Sequence, residues 1–128
     1  MNKGKILIIE DDKFLIKLYG DKLRLEGFDV IGAITGDEGL HKVEAEIPDL
    51  IILDLVLPQK SGFEVLSELK LDPKTKKIPV IILTNLGQES DMKKGLELGA
   101  DAYLVKTEFS VNDLSGLIKE HLVRSKLK

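Results

Sequence analysis

The sequence predicts a parallel α/β fold of five alternating strand and helix units, (βα)5, with helices on both faces of one sheet. Five short apolar runs recur along 128 residues, the segments between them have helical periodicity, and several of those segments open on helix-start signals. The runs are Lys5 to Ile9, Asp29 to Ile34, Leu50 to Leu53, Ile78 to Leu83 and Ala102 to Val105. They are rich in Ile, Val and Leu and mostly lack polar alternation, the pattern of strands covered on both faces.

The first helix follows the first run. Phe14, Leu15, Leu18 and Leu25 fall on one side of it, with Lys17, Asp21 and Lys22 largely elsewhere, and Gly27 marks its end. Thr35 with Glu38, Ser61 with Glu64 and Ser110 with Asp113 resemble capping boxes ahead of the second, third and fifth helices. Gly99 stands where the fourth helix needs a left-handed terminus, and Pro79 lies at a strand start, where its missing N–H is tolerated. Short connections between such units imply right-handed crossovers. One domain over residues 1–128 is expected, with no repeat, low-complexity tract or linker.

Composition narrows the function classes. With 43% hydrophobic residues the chain can bury a core unaided, and without cysteine it has neither disulfides nor a thiolate metal site. The start of the chain has neither a signal-peptide pattern nor a span-length apolar run, so a soluble cytoplasmic protein is expected. The net charge of −3, from 22 acids and 19 bases, calls for neither nucleic acid nor a membrane surface.

Open α/β sheets bind ligands beyond the carboxyl ends of their strands. There the first strand is followed by Glu10, Asp11 and Asp12, the third by Asp54, the fourth by Thr84 and Asn85, and the fifth by Lys106. Two carboxylates about 4 Å apart repel by roughly 4 kcal/mol at an effective dielectric near 20, so such a group needs a cation. Oxygen ligands without His or Cys point to a hard ion, best a partly hydrated Mg²⁺. Asp54, alone on the central strand, is the natural nucleophile toward phosphorus, with the metal and Lys106 offsetting charge. Singly each residue has a plainer reading: Asp12 caps the next helix, Asp54 is a turn residue, Thr84 a strand-end hydroxyl and Lys106 a solvated lysine. His41 and His121 read as solvated residues on helix surfaces. Joint arrival at one sheet edge favours the site.

These residues resemble the receiver domains of response regulators over essentially the whole chain. That family has an acidic pair after the first strand, here Glu10 and Asp11, and an Asp followed four and eight residues later by Pro and Gly, here Asp54, Pro58 and Gly62. Thr84 and Lys106 match its remaining active-site positions, and the segment from Gly95 to Asp101 is also similar.

The resemblance implies a flavodoxin-like sheet with strand order 2-1-3-4-5 and a phosphorylation-dependent switch rather than a conventional enzyme. In it Asp54 takes phosphate from a histidine kinase or phosphotransfer protein. Asp11 ligates Mg²⁺ directly, Glu10 acts through a metal-bound water, and Val56 offers a backbone carbonyl. Thr84 turns to bond the phosphate and Tyr103 turns inward with it, so that the surface of helix four, strand five and helix five engages an effector or output domain, as a monomer or a phosphorylation-linked dimer.

Three features depart from the family pattern. Thr107 stands where Pro usually follows the Lys, with Glu108 reading as a one-residue insertion; Asn85 replaces a usually small residue; and Ala102 and Leu117 replace an Asp and an Arg of the winged-helix transcription-factor subgroup. Other classes fit less well. An aspartyl-phosphate phosphatase wants a second Asp where Val56 stands, the acidic first loop repels a flavin phosphate, and there is no Walker loop. A receiver-like module that binds partners without phosphorylation remains the alternative.

Overall fold

The computed structural model describes residues 3–126 and, among them, a parallel sheet in the order β2-β1-β3-β4-β5. Its strands are β1 (Lys5–Ile9), β2 (Asp29–Ala33), β3 (Leu50–Leu53), β4 (Val80–Thr84) and β5 (Ala102–Val105). The helices are α1 (Lys13–Leu25), α2 (Gly36–Glu46), α3 (Gly62–Leu71), α4 (Glu89–Glu97) and α5 (Leu114–Lys126). The (βα)5 expectation and its strand order hold.

Successive residues of a strand point to opposite faces, and here both faces are covered. Ile6, Ile8, Leu50, Ile52, Ile81 and Leu83 join Leu23 of α1 and Leu114 and Ile118 of α5 in one core. Leu7, Ile9, Ile51, Leu53, Val80 and Ile82 join Val43 of α2 and Val65, Leu66 and Leu69 of α3 in the other. Each such side chain contributes about 1.5 to 3 kcal/mol of burial, an upper-end figure because unfolded chains bury some surface themselves. β5 is the edge, and all four of its residues are only partly buried.

Local signals set the helix ends. Thr35 accepts from the Glu38 N–H at 3.1 Å while the Glu38 carboxylate accepts from the Ile34 N–H at 2.7 Å, a reciprocal cap on α2. Ser61 accepts from the Glu64 N–H at 3.3 Å. α1 closes with Gly27 at φ +100°, the Phe28 N–H reaching the Leu23 carbonyl at 3.1 Å; α4 closes likewise, with Gly99 at φ +114° and the Ala100 N–H on the Gly95 carbonyl at 3.1 Å.

Four local expectations are corrected. Phe14, Leu18 and Leu25 of α1 are 70%, 42% and 87% exposed, and the helix instead buries Tyr19, Gly20 and Leu23, with Leu15 and Ile16 packed beside them. α1 carries two apolar stripes, and docking on the sheet selects the one that continues through Tyr19. Ser110 caps a 3₁₀ turn over Val111–Asp113, and α5 starts only at Leu114. β2 stops at Ala33, and β4 runs from Val80 to Thr84, because the Ile78 N–H is taken by the Thr75 carbonyl in a turn. His41 is exposed as expected, but His121 is buried, carried inward beside Ile118 and Leu122.

Candidate phosphoacceptor site

β1 and β3 are neighbours in register, Ile9 opposite Leu53, so the residues that follow them emerge side by side. The Asp54 N–H donates to the Ile9 carbonyl at 3.0 Å and the Glu10 N–H to the Ala33 carbonyl at 2.9 Å, which ties both backbones to the sheet end. Their carboxylates are consequently buried, Glu10 at 3% and Asp54 at 5% exposure. β4 and β5 pair Thr84 with Val105, and Lys106 follows directly.

Lys106 reaches across the sheet end. Its Nζ donates to Asp54 Oδ2 at 2.8 Å and forms a short ion pair with Glu10 Oε1. The second oxygens are also engaged: Asp54 Oδ1 accepts from the Val56 N–H at 3.1 Å and Glu10 Oε2 from the Asp12 N–H at 3.0 Å. Burial pushes the Glu10 carboxyl up to about 7; the Lys106 hydrogen bond and the Asp12 N–H pull it down, and the Asp54 charge raises it further. Burial works against the Lys106 charge too, yet its bonds to Asp54 and Glu10 prevail and hold its pKa above the ordinary lysine value.

Glu10, Asp11 and Asp54 each bring an oxygen to within 4.8 Å of the others, Asp11 being the exposed member. Three carboxylates facing one ammonium leave uncompensated negative charge, and an all-oxygen set open on one side fits a hard divalent cation that keeps part of its water. The surrounding cleft of about 290 Å³ is lined by these residues with Asp12, Leu15, Val56, Asn85 and Lys106. Asp12 accepts from the Phe14 N–H at 2.9 Å and so caps α1, the structural role its position suggested.

Thr84 and Tyr103 stand one step back. Thr84 is fully buried and does not line the cleft; its Oγ1 accepts from the Leu86 N–H at 3.4 Å. The half-buried Tyr103 donates its hydroxyl to the Leu86 carbonyl at 2.6 Å, and its ring lies where a Cβ on Gly95 of α4 would be 3.2 Å from it. Both side chains thus attach to the same residue between β4 and α4. Burial, followed by the charges of Asp91 and Asp54, raises the Tyr103 hydroxyl to about 12. The Lys106–Glu108 segment forms a 3₁₀ turn, which accommodates the extra residue before Phe109, and among the described residues no peptide bond is cis.

Two further residues shape the site. Leu15 forms an apolar wall of the cleft, signalled only as a helix position. Gly62, known from its spacing, is required sterically: a Cβ there would lie 2.2 Å from the Asp54 carbonyl oxygen.

Residues 6–119 match the model of the response regulator receiver domain. The phosphate regulon transcriptional regulatory protein PhoB of Rhizobium meliloti is 41% identical over 95% of this chain and 53% of its own length. The alkaline phosphatase synthesis transcriptional regulatory protein PhoP of Bacillus subtilis is 41% identical over 99% of this chain and 51% of its own. The chain thus spans about half the length of these curated relatives. Ala102 and Leu117 depart from one transcription-factor subgroup, yet both these relatives are transcriptional regulators. The crystal structure of a CheY-like response regulator receiver domain protein from Methanospirillum hungatei is 34% identical, covers 95% of each chain and superposes with a TM-score of 0.86. The sheet order, the acidic cluster at its carboxyl edge and the match over most of the chain agree, and the protein belongs to the response regulator receiver domains of two-component signalling.

Proposed function

We propose that Asp54 accepts a phosphoryl group from a histidine kinase or phosphotransfer protein and that Glu10, Asp11, Asp54 and the Val56 carbonyl provide the Mg²⁺ site, Glu10 acting through a water. The observation that carries the reading is the buried Asp54 carboxylate, bonded to Lys106 and sharing a 4.8 Å cluster with Glu10 and Asp11. A bound Mg²⁺ supplies positive charge that offsets the oxygens of the transferring group. Asp54 forms the new P–O bond as the P–N bond of the donor phosphohistidine breaks and the imidazole leaves. Lys106, already on Asp54 Oδ2, neutralises charge on the incoming oxygens, and the Val56 N–H fixes the orientation of the carboxylate. Asn85, on the cleft wall, sets access.

The phosphate adds close to two negative charges and several acceptor oxygens. It draws the Thr84 hydroxyl away from the Leu86 N–H, and because Tyr103 holds the Leu86 carbonyl, that loop and the α4–β5–α5 surface move together. The chain acts on a downstream effector or output domain through this protein surface rather than by contact with nucleic acid, as a monomer or a phosphorylation-linked dimer. Its only catalysis is of its own aspartyl phosphorylation and dephosphorylation. Residues 1–128 form one such domain. No helix among the described residues is long and apolar enough to cross a membrane.

The test is intact-mass measurement after incubation with a small-molecule phosphodonor. One phosphoryl group is expected with Mg²⁺ and none without it. Undiminished labelling of Asp54→Asn refutes the assignment, and failure of the wild type to label under any condition favours the phosphorylation-independent alternative.

A further inference from the structure

At the sheet edge opposite Asp54, where β4 and β5 begin, a cleft of about 270 Å³ opens against the last turns of α5. It continues into a second, of about 390 Å³, that shares Lys77, Asp101 and Ser125 and adds Lys76. A strand of five residues spans roughly 17 Å, so this region is separate from the phosphoacceptor cluster. We propose that it binds a small phosphorylated molecule bearing hydroxyl groups, of the sugar-phosphate class.

The primary observation is His121, which lines the first cleft. It is only 6% exposed, yet its imidazole makes no hydrogen bond or ion pair with any described residue. No buried side-chain nitrogen or oxygen among the described residues is sealed off without a partner, so its ring nitrogens open to the cleft. Buried polar groups are normally hydrogen-bonded, and an imidazole offers one donor and one acceptor when neutral. A ligand carrying both hydroxyls and anionic oxygens completes it.

Charge defines the rest. Lys76 and Lys77 have no ion-pair or hydrogen-bond partner for their ammonium groups among the described residues, and Arg124 spends one guanidinium nitrogen on Glu120, at 2.9 Å. An Arg fork with a nearby Lys suits a phosphoryl group, the fork taking two oxygens and the lysine acting as a point charge. Asp101 selects what is attached to that group. Its Oδ2 accepts from the Val80 N–H at 2.9 Å, which fixes the carboxylate at the wall of the cleft. A bare anion meets repulsion there, whereas a hydroxyl donates to it.

The probes are ribose 5-phosphate and inorganic phosphate, titrated without Mg²⁺ into the whole chain and followed by NMR of backbone amides and the His121 ring. Saturable shifts at Lys77, Gly99, Arg124 and His121 are expected with ribose 5-phosphate, with a dissociation constant on the order of 1 mM and roughly tenfold weaker binding of inorganic phosphate. Lys77→Gln combined with Arg124→Gln, both at the surface, should weaken binding at least tenfold. Asp101→Asn, which can still accept from Val80, should narrow the preference for the sugar phosphate. Shifts that do not saturate, that centre on Asp54, that survive the double substitution, or that are matched by inorganic phosphate overturn the proposal.

Discussion

Gly62→Ala is the sharpest test of how the structure holds Asp54. A Cβ at Gly62 would lie 2.2 Å from the Asp54 carbonyl oxygen, 2.5 Å from Leu55 Cα and 3.0 Å from the Asp54 carbonyl carbon. Ordinary contacts begin near 3.4 Å. All three atoms are backbone, so no side chain can swing aside, and the start of α3 must move by about 1 Å from the end of β3. The Gly62 N–H donates to the Leu55 carbonyl at 3.0 Å, and that bond is strained by the same movement. Overpacking a well-filled region costs about 1 to 3 kcal/mol, and a clash with backbone belongs at the upper end. With a urea dependence near 1.5 kcal/mol per molar, a loss of about 3 kcal/mol lowers the unfolding midpoint by about 2 M. Gly116→Ala is the matched control. It lies inside α5 with nothing within 4 Å of the added Cβ, and should gain about 0.5 to 1 kcal/mol. Urea denaturation followed by circular dichroism measures both. A Gly62→Ala midpoint equal to the wild type refutes the close approach.

The other expectations concern the site and its coupling. Asp11→Asn should weaken Mg²⁺ binding, measured by calorimetric titration, more than Asp12→Asn, because Asp11 belongs to the three-carboxylate cluster and Asp12 is a helix cap; equal losses contradict that division. Asp12→Ala should instead cost about 1 kcal/mol of stability through the lost cap on α1, read from the urea midpoint. Thr84→Ala should still take up phosphate but show muted NMR shifts around Tyr103 with a phosphoryl mimic; full-sized shifts there refute the coupling through Leu86. Tyr103 gives a pH signature. Its hydroxyl is raised from 10 to about 12, chiefly by burial, so its contribution is fully present below pH 10 and is lost as pH rises through 12. The wild type should therefore lose about 2 kcal/mol more than Tyr103→Phe across that window, and parallel curves for the two proteins count against the buried hydroxyl.

The sequence by itself determined the layers and the sheet edge at which the candidate site residues gather. Runs such as Leu50 to Leu53, apolar at every position, need cover on both faces, and that requirement together with short connections yields a parallel sheet whose carboxyl edge collects Glu10, Asp11, Asp54, Thr84 and Lys106. Thr35, Ser61, Gly27 and Gly99 mark helix ends through bonds made within a few residues, so they too were legible. Tertiary structure alone decided which of two apolar stripes α1 buries, because Leu18 on one and Leu23 on the other are equally apolar until the sheet is present. It also decided that Ser110 caps a 3₁₀ turn, that His121 is buried, and that Thr84 sits behind the cleft rather than in its wall. The ion pair from Lys106 to Glu10 spans 96 residues and the Tyr103 bond to Leu86 spans 17. Contacts at such separations depend on strand order and register, and no local pattern encodes them.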